Sequence, residues 1–317
     1  MIQPVGAEGK LETIRVRSDV GLLNIAVHHV AKLVKPTGPP ALILHGATFP
    51  SANAAAWKVD GHSWMDDLAQ NGFDTYALDF LGFGASDRYP EMVSGAALGT
   101  ALGGVDSMVM QVERAVASIT ARQPGLRTNR IAHSAGTFVA ARYAELHPQQ
   151  VSHLVLFGAP TPSDGRDADG STMTRFVQVS SRDQLEAFEP RVRESGRLNS
   201  RMFTAWADAY LASDSDSDSR QPPSVRVPAG MMAAIAEMNH IRALPYDPAK
   251  LTIPTLVIQG EWDAVTPPNQ GLWLFEHIAS VHKRLVILSQ GGHRLHLERS
   301  RTQLFQEVRN FLAEQVS

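Results

Sequence analysis

The chain has 317 residues, a formal net charge of -3 and no cysteine. So small a net charge gives no electrostatic case for nucleic acid or an anionic membrane surface as a partner. The missing cysteines exclude disulfides, thiolate metal sites and cysteine nucleophiles. The first residues lack a basic start followed by an apolar run, and no apolar stretch approaches about 18 residues, so we expect neither a signal peptide nor a transmembrane helix. The length predicts one large α/β domain or two small ones, and a cytoplasmic location is the default expectation.

The first 160 residues alternate between strand and helix patterns. Polar and apolar side chains alternate over residues 11–33, which predicts an opening antiparallel hairpin. Ser63, with Asp66 three residues later, predicts a helix start, and Gly72 predicts the end of that helix. The remaining elements predicted in this part are strands at residues 41–44, 74–79 and 151–157 and helices at residues 105–122 and 137–147.

The pattern changes between residues 161 and 250, where strand-like runs disappear and helical patterns remain. Strands resume at residues 255–258 and 285–288, and each is followed by a helical stretch. Strands that alternate with helices predict a mostly parallel sheet with helices on both faces. We therefore predict an α/β core built from residues 1–160 and 251–317, with residues 161–250 inserted as a helical cap.

Residues 213–219 of the predicted cap alternate serine and aspartate. Such a run resembles a calcium-binding loop, but Ser219 stands where that loop needs glycine and Val225 where it needs a bidentate glutamate. The composition instead predicts a solvated, mobile linker. Its place beside the helices of the cap suggests a part in gating.

A serine lies where a predicted strand meets a predicted helix. Ile131 and Ala132 end the strand, Ser134 follows, and the helical pattern begins directly after Gly136. Small residues on both sides of the serine allow strand and helix to approach closely, and the hydroxyl then lies beside a helix N-terminus that favours negative charge. The stretch resembles the nucleophile elbow of the α/β-hydrolase superfamily, G-x-S-x-G, with Ala132 in place of the first glycine.

A serine nucleophile needs a base and a group that orients the base. Asp263 and His293 each follow a predicted core strand, and ligands in open α/β sheets lie at the carboxyl ends of the strands. The order Ser134, Asp263, His293 is the chain order of the α/β-hydrolase triad. The resemblance covers nearly the whole chain. It implies that Ser134 is the nucleophile, His293 the base and acid, and Asp263 the residue that orients His293.

Other side chains compete for these roles. Glu261 is a second carboxylate in the same turn, but Asp263 matches the family position better. His296 lies three residues after His293, and two such histidines can share a metal. No third ligand is apparent, so we predict no metal site and expect His296 to be structural. His133 flanks the nucleophile, and we expect it to pack rather than react.

The resemblance also implies an oxyanion hole, which needs two backbone donors. It assigns the amides of Ala47, which follows His45 and Gly46, and of Ala135, which follows the nucleophile. We expect His45 to shape this loop. Residues 82–87 begin like a dinucleotide fingerprint but lack its third glycine, so no cofactor is predicted.

Apolar side chains near the predicted mouth are candidates for a substrate pocket, although aromatic and methionine residues at helical spacing are more often core. The pocket candidates are His45, Phe49, Trp57, Trp64, Phe203, Trp206, Met231 and Met232.

Arg130 lies in the predicted elbow strand, four residues before Ser134, where an apolar residue would be expected. A buried charge needs a partner. Either a carboxylate pairs with Arg130, or the strand is shorter and Arg130 lies near its exposed start.

Serine at the elbow argues against the haloalkane dehalogenase and epoxide hydrolase branches of the superfamily, which form an ester to a carboxylate nucleophile. Ser134 instead predicts acyl transfer to water, with a small to medium apolar carboxylic ester or lactone as the small-molecule substrate. Two alternatives stay open: amide or carbon–carbon bond hydrolysis by the same three residues, and a ligand-binding protein on the hydrolase fold. No feature of the sequence indicates an oligomeric state.

Overall fold

The computed structural model describes residues 9–122, 125–163 and 174–315. Eight of its strands form one sheet and two form a small second sheet. In chain order the strands are β1 (Leu11–Arg17), β2 (Asn24–Val30), β3 (Ala41–Leu44), β4 (Thr75–Asp79), β5 (Thr128–His133), β6 (Val151–Phe157), β7 (Phe176–Ser180), β8 (Ser224–Pro228), β9 (Thr255–Gly260) and β10 (Lys283–Leu288).

The helices lie between the strands for most of the chain. Within the described ranges, none of them is long and apolar enough to cross a membrane. In chain order they are α1 (Trp64–Gln70), α2 (Pro90–Ser94), α3 (Val105–Arg122), α4 (Gly136–Leu146), α5 (Ser181–Glu186), α6 (Pro190–Glu194), α7 (Ser200–Ala212), α8 (Gly230–Ile241), α9 (Pro268–His277) and α10 (Arg301–Leu312).

The large sheet has the strand order β1-β2-β4-β3-β5-β6-β9-β10. The predicted hairpin is confirmed, since β1 and β2 pair antiparallel and β2 also runs antiparallel to β4. The other neighbours are parallel. The predicted mostly parallel sheet is thus confirmed. Because parallel strands end at one edge of a sheet, the loops after β3, β5, β9 and β10 lie together there.

Different helices cover the two faces of this sheet. Val112 of α3 and Phe138 of α4 belong to the apolar core on one face. Leu68 of α1 and Phe305 of α10 belong to the core on the other. Each fully buried side chain of this size contributes about 1.5–3 kcal/mol. The short strand β3 is buried along its whole length, as its continuous apolar run predicts.

The predicted start of α1 is confirmed in detail. The Ser63 hydroxyl accepts the N–H of Asp66, and the Asp66 carboxylate accepts the N–H of Ser63, which is a capping box. Such a box satisfies two N–H groups that the first helical turn leaves free.

The chain between β6 and β9 contains helices α5 to α8, but the prediction that it lacks strands is wrong. Strands β7 and β8 pair antiparallel from Phe176 with Pro228 to Ser180 with Ser224. Both are only five residues long, so neither shows a long apolar alternation. We call residues 174–250 of this part the inserted segment.

The prediction of a solvated linker at residues 213–219 is wrong for its first aspartate. Asp214 is buried, and its Oδ2 accepts hydrogen bonds from Arg220 Nη1 at 2.8 Å and from the Arg226 N–H at 2.9 Å. The Arg88 guanidinium adds a second positive charge at 3.5 Å. Because these partners come from three different positions, Asp214 anchors the end of α7 rather than projecting into solvent.

Arg130 fits neither of its two sequence-based alternatives. It is fully buried within β5, and no carboxylate of the described chain pairs with it. The guanidinium donates to the Thr128 hydroxyl and lies over the Tyr143 ring, 4.7 Å from its centroid. Burial lowers its pKa, while Tyr143 opposes that change. A cation–π contact therefore replaces the expected ion pair.

Trp206 of α7 is the largest buried side chain of the inserted segment, and its indole N–H donates to the Asn53 carbonyl at 2.7 Å. We expect Trp206→Ala to lower the free energy of unfolding by about 3–5 kcal/mol because it leaves a cavity and an unpaired carbonyl. Trp206→Phe, which keeps most of the volume, should cost clearly less. Urea denaturation measures both, and equal losses for the two variants would contradict this account.

Candidate active site

Ser134 occupies a strained turn between β5 and α4. Its φ angle is +53°, a left-handed value that is uncommon for a side chain other than glycine. The Ser134 N–H donates to the Phe157 carbonyl at 2.8 Å, and the Thr137 hydroxyl donates to the Ser134 carbonyl at 2.6 Å. These bonds from β6 and α4 stabilise the turn, and they leave the half-buried serine side chain directed outward.

The turn needs small residues because the loop after β3 lies directly against it. A Cβ on Gly136 would overlap the carbonyl oxygen of His45, and a Cβ on Gly46 would come within 3.1 Å of the Ser134 Cβ. Ala132, which stands where the family pattern has glycine, is fully buried in β5 between β3 and β6. Alanine therefore fits at this place in the sheet.

The structure brings Ser134, His293 and Asp263 together in one line of hydrogen bonds. His293 Nε2 lies 2.9 Å from Ser134 Oγ, and His293 Nδ1 lies 2.9 Å from Asp263 Oδ2. A carboxylate can only accept, so Nδ1 has the proton and Nε2 is free to accept from the serine hydroxyl. This tautomer is the one that a general base needs.

Asp263 is oriented by Thr266, a residue that sequence reasoning missed. The backbone N–H groups of Val265 and Thr266 donate to Asp263 Oδ1 at 2.9 and 2.7 Å, and the Thr266 hydroxyl donates to Oδ2 at 2.8 Å. The same hydroxyl lies 3.2 Å from His293 Nδ1. Its spacing of three residues after Asp263 is an Asx-type turn signal that could have identified it.

None of the competing side chains occupies the place of Asp263 or of His293. Glu261 is exposed, and its Oε2 accepts from Ser289 and from the Gln290 N–H, which lowers its pKa. His296 is buried among aromatic rings, and burial lowers its pKa to about 3. His133 is buried as well and donates from Nε2 to the His293 carbonyl at 2.8 Å.

The two predicted oxyanion amides belong to the two backbone segments next to Ser134, which are the start of α4 and the loop after β3. Ala135 is the residue that precedes the first turn of α4, where N–H groups lack helical partners. Ala47 follows Gly46, where an added Cβ would come within 3.1 Å of the Ser134 Cβ. Within the part of the chain that the structure describes, no acceptor is bound to the N–H of Ala47 or Ala135. Neither N–H is therefore used by an acceptor among the described residues.

His45 shapes the loop after β3. Its Nδ1 donates to the Gly46 carbonyl at 2.7 Å, and its Nε2 accepts the Phe80 N–H at 3.2 Å. Both ring nitrogens are thus bonded to backbone, and burial lowers the pKa of His45. A neutral imidazole in this place matches the expected structural part.

Several pocket candidates form an apolar cluster between the inserted segment and the loop after β3. Phe49 meets Trp206 edge to face at 5.4 Å, and Phe203 stacks on Trp206 at 5.6 Å between ring centroids. Trp57 packs against this cluster and donates from Nε1 to the Met202 sulfur at 3.3 Å.

Three further candidates lie apart from that cluster. Trp64 stacks on Phe305 at 5.3 Å within the core under α10, and Met231 is buried in the opposite core. Both side chains fill the interior, as expected for aromatic and methionine residues that belong to the core. Met232 is half-buried and lines an open groove of about 1170 Å³ beside α3, whose described lining does not include Ser134.

Four buried polar residues around His293 were also missed by sequence reasoning. Gln184 and Glu189 come from the inserted segment, and Arg294 and Glu298 follow His293. Burial lowers the pKa of Arg294 to about 10 and raises that of Glu298 to about 8. No local pattern marks Gln184, Glu189 or Arg294, because their partners are distant in sequence. Glu298 pairs with the Gly292 N–H, six positions earlier.

Two curated relatives match most of the chain. The pimeloyl-[acyl-carrier protein] methyl ester esterase of Nitrosomonas europaea is 28% identical over 269 residues, which is 81% of this chain and 89% of the relative. The 2-hydroxymuconate semialdehyde hydrolase of Pseudomonas sp. (strain CF600) is 26% identical over 292 residues, 87% of this chain and 88% of the relative.

A solved structure and a family model agree with these relatives. A serine hydrolase involved in carbazole degradation superposes with a TM-score of 0.65 at 17% identity, covering 96% of this chain and 99% of its own, which shows the fold. The family model described as serine aminopeptidase, S33 matches residues 57–300. Because that match spans most of the chain, this protein belongs to the serine aminopeptidase S33 family and is an enzyme with the α/β-hydrolase fold.

Proposed function

We propose that this enzyme hydrolyses a small to medium apolar carboxylic ester or lactone through an acyl-enzyme. Ser134 is the nucleophile, His293 the base and acid, and Asp263 the residue that orients His293. The observation that supports the proposal most is the continuous arrangement of Ser134 Oγ, the imidazole and the Asp263 carboxylate, with both contacts at 2.9 Å. That arrangement matches the requirements of general-base activation of a hydroxyl.

In this mechanism His293 Nε2 removes the Ser134 proton as Oγ attacks the substrate carbonyl carbon. Negative charge moves to the carbonyl oxygen, where the N–H groups of Ala47 and Ala135 stabilise it. The imidazolium, stabilised by Asp263, gives its proton to the leaving alkoxide, and the alcohol departs. A water molecule deprotonated by His293 then attacks the acyl-enzyme, which releases the acid and restores the serine.

The apolar side chains near the site support an apolar acyl or alkyl group in the substrate. Phe49, Phe203 and Trp206 pack between the loop after β3 and the inserted segment. The relative from Nitrosomonas europaea is named as a methyl ester esterase, which supports the ester over other acyl compounds. We also propose that residues 161–250 form a cap over the core, because the segment leaves the core after β6 and has its own small sheet.

The first experiment is labelling with a fluorophosphonate, read by intact mass and peptide mapping, with Ser134→Ala as the control. We expect a single adduct on Ser134 that is absent from the variant. Activated esters, lactones, anilides and a vinylogous diketone are then compared as substrates. An adduct at another residue, or none, would refute the proposed nucleophile.

A second candidate is hydrolysis of a carbon–carbon bond by the same three residues. The relative from Pseudomonas is named as a semialdehyde hydrolase, and the family description names an aminopeptidase, which adds amide cleavage. Either alternative replaces the ester proposal if Ser134 is labelled while esters and lactones turn over negligibly and the diketone or an anilide reacts.

A further inference from the structure

A carboxylate of the inserted segment bonds to two of the loops that contain the proposed catalytic residues. Glu189 Oε1 accepts the His293 N–H at 2.9 Å and the Ala264 N–H at 3.3 Å. Ala264 is the residue after Asp263. One oxygen atom, 104 positions from His293 in the chain, thus joins the loop after β9 to the loop after β10.

Gln184 makes a second bridge from the same segment. Its Nε2 donates to the carbonyl of Thr48, the residue after Ala47, at 3.1 Å. Its Oε1 accepts from Arg294 Nη2 at 2.9 Å, and its backbone carbonyl accepts from Arg294 Nη1. Gln184 therefore connects the loop after β3 to the residue that follows His293.

The position of Glu189 on its own helix makes this use of the side chain unusual. Glu189 is the N-cap residue of α6, where a polar side chain ordinarily accepts a backbone N–H of the first turn. It makes no such bond. The carboxylate is instead buried and directed at the His293 loop. Burying a carboxylate costs free energy. If Glu189 served only to stabilise its own helix, its side chain could cap α6 without that cost.

We infer that Glu189 and Gln184 are positioning residues, so that the inserted segment completes the active site by fixing the loops of Asp263, His293 and Ala47. The inference rests on the proposed function of those three residues. A displacement of about 1 Å at a catalytic group can cost about 100-fold in rate. Loss of the bridge should therefore lower kcat more than it raises KM.

A second carboxyl group faces Glu189 across Gly292. Glu298 is fully buried and accepts the Gly292 N–H at 3.1 Å. A Cβ on Gly292 would overlap Glu189 Oε2 and come within 2.9 Å of Glu298 Oε1. The two carboxyl groups thus flank one point on the loop that leads to His293.

Burial raises the pKa of Glu298 to about 8, and the negative charges of Glu189 and Asp263 act in the same direction, while Arg197 opposes them. Near neutral pH Glu298 is therefore protonated. As the pH rises through about 8, two adjacent carboxylates repel each other and loosen the loop. The other charged groups that act on the pair are Arg197 and Asp263, which act on Glu298, and Arg294, which interacts with Glu189.

The test compares Glu189→Leu, which removes both acceptors at similar size, with Glu189→Gln, whose amide oxygen can still accept both N–H groups. Glu194→Ala, on the exposed side of α6, is the matched control. We measure the rate of fluorophosphonate labelling of Ser134, and kcat and KM on an activated ester. We expect a drop of about 10- to 100-fold in labelling rate and kcat for Glu189→Leu, substantial rescue in Glu189→Gln, and wild-type values for Glu194→Ala.

Equal labelling rates in wild type and folded Glu189→Leu would overturn the inference while leaving the proposed nucleophile intact. An unlabelled wild-type Ser134 would instead refute the proposed function itself. If Glu189→Leu does not fold, Glu298→Gln decides. Its uncharged side chain should remove the fall in labelling rate that we expect of wild type above about pH 8. An unchanged alkaline limb in Glu298→Gln would overturn the role of the pair.

Discussion

Ser134→Ala is expected to lower kcat by about 10⁶-fold, because the acyl-enzyme cannot form without the hydroxyl. The left-handed backbone at this position is strained for alanine and serine alike, so we expect the melting temperature to change little. Activity on an activated ester and thermal unfolding are measured on the same preparation. Stability that stays constant while activity vanishes separates a chemical role from a structural one.

The matched control for this change is Ser94→Ala. Ser94 lies on the exposed end of α2, and its hydroxyl donates to the Glu91 carbonyl at 3.3 Å. We expect its activity to equal that of wild type. Ser134→Ala with more than about 1% of wild-type kcat would contradict the nucleophile assignment, since residual catalysis by binding and the oxyanion hole is far smaller.

Asp263→Asn is expected to reduce kcat by about 10⁴-fold. The Asn amide can donate to His293 Nδ1, and the ring would then have its proton on Nε2, where it faces Ser134 Oγ and cannot accept. The bonds that the Val265 and Thr266 N–H groups donate to the remaining oxygen should keep the side chain in place, so the geometry survives while the tautomer is wrong. Steady-state kinetics and a nitrogen-detected NMR spectrum of the imidazole report the two effects.

Glu261→Gln is the control for this prediction, because the sequence offers both carboxylates in one turn. Glu261 contacts Ser289 and Gln290 at the surface and not His293. We expect its kcat to remain within about twofold of wild type, since an exposed hydrogen bond of this kind contributes little. A larger loss in Glu261→Gln than in Asp263→Asn would reverse the assignment of the two residues.

Local pattern accounts for much of the fold. The capping box at Ser63 and the buried run of β3 are each encoded within a few residues, so short windows of sequence suffice to predict them. The small sheet of the inserted segment was missed because its two five-residue strands pair across 44 to 52 positions. Alternation exists in each strand, but only pairing in the folded chain distinguishes it from loop.

The candidate active site was also predicted only in part from the sequence. The sequence predicted the serine at its turn and the order of the three residues, and it favoured Asp263 over Glu261 only by the family position. The fold separates those two carboxylates physically: one faces the imidazole at 2.9 Å and the other faces solvent. The Arg130 guanidinium likewise packs on the Tyr143 ring and not on a carboxylate. This contact depends on how α4 packs on β5.

The period of each long element, the turn residues around Ser134 and the set of groups able to react are all apparent from the order of amino acids, because these depend on neighbours within a few positions. Which distant side chains support that chemistry is apparent only in the folded chain. Glu189 and Gln184 meet the loops after β3, β9 and β10 only when the inserted segment packs on the core. Contacts between residues a hundred positions apart produce no periodic pattern in the sequence. Each such contact depends on how the whole chain folds and not on a local preference.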